Sequence, residues 1–320
     1  MSPLPALQRN SDSRLVLLGA SGFLANCLKK QAVLEGWNIL SLGRPNFDLC
    51  SPECVPRLQA ELKPTDSIVF LAGLTPEHGR NEETAALNVR MLENAASVLS
   101  HCGFAHFTYL SSDAVYAWGE DPITESSPVA PLDFYGTMHA RREEIARRLG
   151  EQSDRPTAIL RPAAVHGCGD THNAYGPNKF ISSILERGEI GLFGGGEEIR
   201  SHLWERDCAR WILEALRTRW SGTLNIVPRE ALSFAELAGL LGGLNDFPVR
   251  LVYLPRKQPI RHRRFNPELR ERLWPHLPPL TLESSLRLHW TEAAAGRHPQ
   301  GSVGGRCAPG PPALAEPKDS

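Results

Sequence analysis

Apolar residues fall along this chain in short continuous runs, and amphipathic stretches separate them. The runs "RLVLLG" (14–19), "NILSLG" (38–43), "SIVFLAG" (67–73), "HFTYLSS" (106–112) and "TAILRP" (157–162) stop at glycine, serine or proline. Runs without alternation are the mark of strands buried on both faces. Helical spacing fills the gaps. In 23–37 it brings Phe23, Leu24, Cys27, Leu28, Val33 and Leu34 into one pattern. Further helices are predicted over 51–62, with Ser51 as N-cap and Pro52 at the first helical position, over 83–103 and over 133–150. Strand and helix alternate with short joints, which predicts an α/β fold: a parallel sheet doubly wound by helices on both faces. Right-handed crossovers then bring the strand ends at Gly19, Gly43, Gly73 and Ser112 to one sheet edge, where they line a cleft.

Beyond about residue 165 the alternation loosens. Helices are expected over 178–189 and 207–220, a strand over 222–227, and a further helix from Ser233, its cap, to Gly243. The expected organisation is a dinucleotide-binding domain at 12–166 and a smaller C-terminal substrate lobe at 167–290 that returns some elements to the first domain. A disordered tail is expected at 291–320, where Gly, Pro, Ala and Ser displace any apolar period.

Composition changes this picture little. The 320 residues are 41% hydrophobic and 22% charged, enough for a real core, and 35 basic residues offset 36 acidic ones. No strong field favours nucleic acid or an acidic membrane. Seven scattered cysteines fit a reducing compartment, and Cys50 with Cys54 lacks the partners of a zinc set, so no metal is expected. The N-terminus has no apolar core and no run is long enough to span a bilayer, so a soluble cytoplasmic protein is expected.

"GASGFLA" (19–25) links the first strand to the first helix. Gly19 allows a tight turn, and Gly22 clears the approach of a pyrophosphate to backbone N–H groups at the helix start, with Ser21, Phe23 and Leu24 around it. Ala25 is small enough for close packing of helix on strand. This is the signature of a Rossmann-like sheet. At the second strand end, "LGRPNFDL" (42–49) carries Gly43 and Arg44 where an acid would read the ribose 2′-OH of NAD. Arg44 can instead pair a 2′-phosphate, which favours NADP over NAD. Asp48 and Leu49 are expected beside the adenine.

Five segments in order resemble the extended short-chain dehydrogenase/reductase family, the nucleotide-sugar epimerases, dehydratases and reductases, over roughly residues 14 to 290. They are "GASGFLA", "FLAGL" (70–74), "LNVRMLENA" (87–95), the block from Tyr109 to Ala140, and "ILRPAAVHG" (159–167). The resemblance implies that Leu71, Ala72 and Gly73 contact cofactor and that Asn88 braces the active-site strand. It implies Ser112 and Tyr135 as the catalytic pair, the serine holding the substrate oxygen and the tyrosine giving it a proton. His139 stands where the family has lysine in Tyr-x-x-x-Lys. The family lysine holds the nicotinamide ribose and lowers the tyrosine pKa. A histidine there can donate to the ribose and, if protonated, favour a tyrosinate, a help that fades as pH rises past ~6.5. In the second half, Arg200 falls at the family's arginine for a substrate diphosphate, and Asn178 is a polar candidate opposite it. Ser201 replaces the usual aspartate after that arginine, and Ala163 and Ala164 replace polar residues.

The expected function is hydride reduction of a nucleotide-linked keto-sugar. An NAD-dependent sugar epimerase is the alternative. A dehydratase ranks third, because "SSDAV" (111–115) lacks an acidic pair. A non-catalytic cofactor-binding or sensor protein is the alternative of another class, because of His139. The family resemblance also implies a homodimer through the helices near 83–101 and 135–149.

Overall fold

The strand pattern forms one six-stranded sheet, seen here in a computed structural model that describes residues 14–75, 78–119, 121–170, 176–245, 247–256 and 258–296. The strands are β1 (Arg14–Leu18), β2 (Asn38–Leu42), β3 (Ser67–Phe70), β4 (His106–Leu110), β5 (Thr157–Pro162) and β10 (Gly222–Ile226). Their spatial order is β10-β5-β4-β3-β1-β2, and every pair is parallel. β3 and β5 are buried at every position, as continuous apolar runs require. Alternate residues face opposite layers. Leu15, Leu17 and Val69 enter one core, and Val16, Leu18, Ile68 and Phe70 enter the other.

Helix α1 (Phe23–Leu34) and helix α6 (Glu205–Arg217) cover the first face. Helices α2 (Cys54–Glu61), α3 (Glu82–Cys102) and α4 (Phe134–Ser153) cover the second. The order reverses at β1, which has β2 on one side and β3 on the other. That switch point is where a doubly wound sheet opens its ligand crevice. Helix α2 starts later than Ser51 and Pro52 suggested. Its N-cap is Glu53, because the N–H groups of Cys54 and Val55 first close tight turns onto the Ser51 and Pro52 carbonyls.

The second half contains pairings that periodicity did not reveal. They are β6 (Ala164–His166) with β9 (His202–Trp204), β7 (Glu189–Phe193) with β12 (Arg250–Leu254), and β8 (Ile199–Arg200) with β11 (Leu232–Ser233). Helices α5 (Gly176–Arg187), α7 (Phe234–Gly242) and α9 (Leu282–Ala295) share a separate core of Phe180, Ile184, Leu237, Leu241, Leu282 and Leu286. Ser233 caps α7 as expected, in a reciprocal capping box with Glu236. A short helix, α8 (Glu268–Leu273), precedes α9. The expected tail begins too early: α9 runs through Thr291 to Ala295, anchored by buried Leu286 and His289. Residues 297–320 of that tail lie outside the described residues. Among the described residues no helix is long and apolar enough to cross a membrane, and no group of side chains could hold a metal ion.

Among the described residues five histidines are buried, and burial depresses them all: His106 and His289 to about 4, His139 and His202 to about 3, and His166 well below its ordinary value. Such groups give full stabilisation above the unfolded pKa of ~6.5 and lose it as pH falls toward the folded value. Each costs up to about 1.4 kcal/mol per pH unit in that window. Glu205, pushed up to about 7, and the raised Asp113 and Asp207 act in the opposite sense but are fewer. The thermal midpoint is therefore expected to fall steeply between about pH 6.5 and 4. A calorimetric midpoint that stays flat across that window would contradict the neutral burial of these rings.

Candidate active site

The glycine turn sits at the switch point. Gly19 has φ +93° and lies so near β3 that a Cβ would overlap the Ala72 backbone. Gly22 caps α1 with ordinary extended geometry, φ −74° and ψ 167°, and makes no side-chain cap. A Cβ there would meet only the Gly19 carbonyl oxygen, at 3.9 Å. The space above it is therefore open, and the first turn of α1 carries no acidic residue. The helix start leaves N–H groups and a positive dipole end facing the cleft, with Ser21 exposed and Phe23 and Leu24 half-buried beside it. These residues fit a dinucleotide pyrophosphate.

Arg44 is exposed at the end of β2. Asp48 turns its carboxylate back to accept from the Cys50 N–H at 3.0 Å. The Leu49 side chain is buried in the core against α2 and α3, so only its backbone remains for an adenine. Leu71, Ala72 and Gly73 follow β3 along the cleft edge. Asn88 braces this loop rather than the β4 strand that the sequence reading assigned to it. Its amide donates to the Leu74 carbonyl at 2.9 Å and its oxygen accepts from the Leu74 N–H at 2.7 Å. With 1% exposure, that side chain is consumed by the brace and not free for cofactor.

Ser112 ends β4 and caps a 3₁₀ turn over Asp113–Val115, its oxygen accepting from the Ala114 N–H at 3.2 Å. The Asp133 carboxylate caps α4, accepting from the Gly136 N–H at 2.8 Å. Gly136 lets the first turn of α4 close onto the 3₁₀ turn, since a Cβ there would overlap the Ala114 carbonyl. Tyr135, half-buried, lies in that first turn, which packs against the 3₁₀ turn that Ser112 caps.

His139 lies one turn on, with its ring edge-on to Tyr135 at a centroid distance of 4.6 Å. It is buried, and its Nδ1 is 2.6 Å from the Tyr109 hydroxyl of β4. Burial pushes its pKa down to about 3, helped by the neighbouring Arg142. The condition set on His139, that it be protonated to favour a tyrosinate, is therefore not met: at neutral pH the ring is uncharged, because a second proton would stand in a dry site beside a guanidinium. His139 can donate one hydrogen bond to a ribose. It cannot itself supply the charge that a lysine would bring.

Pattern reading missed Tyr109, Arg142, and the pair Arg161–Glu143. Tyr109 reads as one more apolar strand residue, and Arg142 as one of the many charges on α4. Yet Arg142 is 1% exposed. Its guanidinium donates to the Ala72 carbonyl at 2.8 Å and, through Nε, to the Asn88 carbonyl at 2.7 Å. Glu143 accepts from Arg161 at 2.8 and 2.5 Å and from Ser111 at 2.6 Å, and Arg161 also donates to Tyr116. The spacing 135, 139, 142, 143 on one helix was the available signal, since i, i+4 and i+7 share a face.

From the second half, Arg200 of β8 lies over Trp118, whose ring also faces Arg261 and Arg263 at 5.2 and 4.2 Å. Arg263 donates to the Asp113 and Tyr116 carbonyls, which ties this basic cluster to the end of β4. Asn178 does not join it. Its oxygen accepts from the Gly167 N–H at 3.1 Å and its amide donates to Asp170, so it holds the loop after β6. Ser201, which follows Arg200, is buried with its hydroxyl unpartnered.

The doubly wound sheet opens at its switch point onto the glycine turn, the arrangement of a dinucleotide-binding fold. The chain belongs to the NAD dependent epimerase/dehydratase family, whose model matches residues 15–226. It is 30% identical over 163 residues to methionine adenosyltransferase 2 subunit beta of Xenopus laevis, a match covering 48% of this chain and 47% of that protein. The chain thus spans about half the length of this relative. It is 24% identical over 271 residues to a dTDP-4-dehydro-6-deoxy-D-allose reductase of Streptomyces, covering 74% of this chain and 82% of that one. Its fold matches RMD from Pseudomonas aeruginosa, solved with NADPH, at a TM-score of 0.77 and 23% identity, over 88% of this chain and 99% of that one.

Proposed function

We propose that this chain reduces the ketone of a nucleotide-linked sugar, with NADPH preferred over NADH. The observation that carries the reading is the packing of the first turn of α4, which holds Tyr135, against the 3₁₀ turn that Ser112 caps, with a basic cluster of Arg200, Arg261 and Arg263 around Trp118 tied through Arg263 to the same turn. A bound nicotinamide supplies the hydride. Ser112 holds the ketone oxygen by a hydrogen bond as negative charge grows on it, and Tyr135 gives that oxygen a proton. His139 donates toward the ribose from Nε2. The arginines match a diphosphate, because guanidinium forks pair phosphate oxygens in two-point contacts. Asp113 has no second acid beside it in "SSDAV", which argues against dehydration.

Absorbance at 340 nm with purified protein, NADPH or NADH, and a panel of keto-sugar nucleotides tests this. NADPH consumption with a stoichiometric alcohol product supports it. An epimerised product without net cofactor change would favour the NAD-dependent epimerase. Arg44→Asp should lower the NADPH-to-NADH preference at least tenfold, since a carboxylate repels a 2′-phosphate and accepts from a 2′-OH. An unchanged ratio would remove Arg44 from cofactor selection.

A non-catalytic reading has a support beside His139: the relative matched over 47% of its length is named as a subunit of a different enzyme. It predicts tight cofactor binding without turnover of any keto-sugar. Cytoplasmic residence and a homodimer through α3 and α4 remain part of the proposal, the latter testable by sedimentation.

A further inference from the structure

Behind the end of β4, Glu143 of α4 and Arg161 of β5 form a buried ion pair, joined by hydrogen bonds of 2.8 and 2.5 Å. Stability alone is a weak reason for such a pair, since the cost of drying two charges offsets much of their attraction. What the pair fixes is geometry. We propose that Glu143 is a positioning residue: with Arg161 it holds the turn of Ser112 in place against the helix of Tyr135. The proposal rests on the reductase reading for the chemistry it serves, but not for its structural test.

Every link in this arrangement is a hydrogen bond. On the near side of Ser112, the Ser111 hydroxyl donates to the Glu143 carboxylate at 2.6 Å. On the far side, Arg161 donates to the Tyr116 hydroxyl at 2.8 Å, and that hydroxyl gives its own proton to the Asn225 side-chain oxygen of β10 at 2.6 Å. The 3₁₀ turn Asp113–Val115, with Ser112 as its cap, lies between these two clamps. Backbone bonds anchor the same two residues: the Ser111 N–H donates to the Leu160 carbonyl at 2.8 Å, and the Tyr116 N–H to the Asp113 carbonyl at 3.2 Å.

Glu143 stands on α4, about two turns beyond Tyr135. One ion pair therefore ties the helix that carries Tyr135 to both ends of the turn that carries Ser112. The contact of Gly136 with the Ala114 carbonyl lets the two elements approach closely, and the Glu143 pair stops them sliding past each other. The reaction needs that restraint. Ser112 must hold the ketone oxygen while Tyr135 delivers a proton to the same atom, and a misplacement of about 1 Å between two such groups can cost about 100-fold in rate. Ser111 and Tyr116 are both buried, so neither side chain is placed to touch a ligand itself.

Glu143→Leu leaves Arg161 buried without its carboxylate, and this variant can fail to fold. The deciding protein is Ser111→Ala/Tyr116→Phe, which keeps the ion pair and cuts both clamps. Its crystal structure, set against that of wild type, should show Ser112 Oγ displaced relative to the Tyr135 hydroxyl by about 0.5 Å or more. With a keto-sugar that wild type reduces, its kcat should fall by about 10–100-fold. The NADPH dissociation constant should stay within about threefold, because the glycine turn is untouched. Leu149→Ala, a core substitution on the same helix, should lower the thermal midpoint and leave kcat unchanged. A double variant that resembles Leu149→Ala, losing thermal stability alone with Ser112 in its wild-type place, would make the network purely structural and overturn the proposal. If wild type turns over no keto-sugar, the reductase reading fails, while the separation of Ser112 and Tyr135 in the two crystal structures still decides for Glu143.

Discussion

Tyr135→Phe is expected to lower turnover of the keto-sugar by about 10²–10⁴-fold while NADPH still binds, the range that a positioned proton donor supplies. The change deletes one oxygen. The ring still packs edge-on against His139, so the start of α4 and its Asp133 cap are kept. Ser112 still offers a hydrogen bond to the ketone, but the proton that Tyr135 would give to the growing alkoxide is gone. Stopped-flow absorbance at 340 nm and a fluorescence titration of NADPH separate the two effects. The expected signature is a collapsed kcat with a cofactor Kd within about threefold of wild type. A variant that retains more than a tenth of wild-type kcat would mean that the proton comes from elsewhere. Ser112→Ala on the same protein should cost less, since the serine hydroxyl is shared with its capping bond to the Ala114 N–H.

The elements that carry the cofactor cleft were legible because their signals are local. β1, β3 and β5 read as uninterrupted apolar runs, and the structure buries nearly every position. Gly19 reads as a turn because backbone conformation and close approach exclude other residues there, and Gly22 stands at the helix start that follows. The second half was harder for a physical reason. β8, β9 and β11 are two or three residues long, too short for any period to register, and they exist because long-range pairing fixes them. The site divides in the same way. Ser112, Tyr135 and His139 were singled out through the resemblance of their segments to the family's catalytic block. Whether His139 carries charge was not legible there, because that depends on a tyrosine thirty residues earlier and an arginine three residues later enclosing it in a dry pocket. Asn178 failed for the complementary reason: a polar residue at the right place was already committed to its own loop.

Gly22→Asp is expected to stabilise the cofactor-free protein slightly and to weaken dinucleotide binding at least a hundredfold. The two effects have one origin. Gly22 is the N-cap of α1, at φ −74° and ψ 167°, a conformation that any L residue adopts. Nothing in the chain crowds its Cβ position, where the nearest atom is 3.9 Å away. An aspartate there can accept from the free N–H groups of the first turn and meet the positive end of the helix, worth about 0.5–1 kcal/mol over glycine. That carboxylate occupies the place a pyrophosphate would take and repels it, so the gain in the free protein is a loss in the complex. Gly19 gives the contrast. Its φ of +93° and its contact with the Ala72 backbone are demanded by the fold itself, so Gly19→Ala should lose several kcal/mol of stability with or without cofactor. Thermal unfolding of both variants, with and without NADPH, distinguishes a glycine kept for folding from one kept for a ligand. If Gly22→Asp bound NADPH as wild type does, the pyrophosphate would not lie on this turn, and the cofactor assignment of the whole cleft would fall with it.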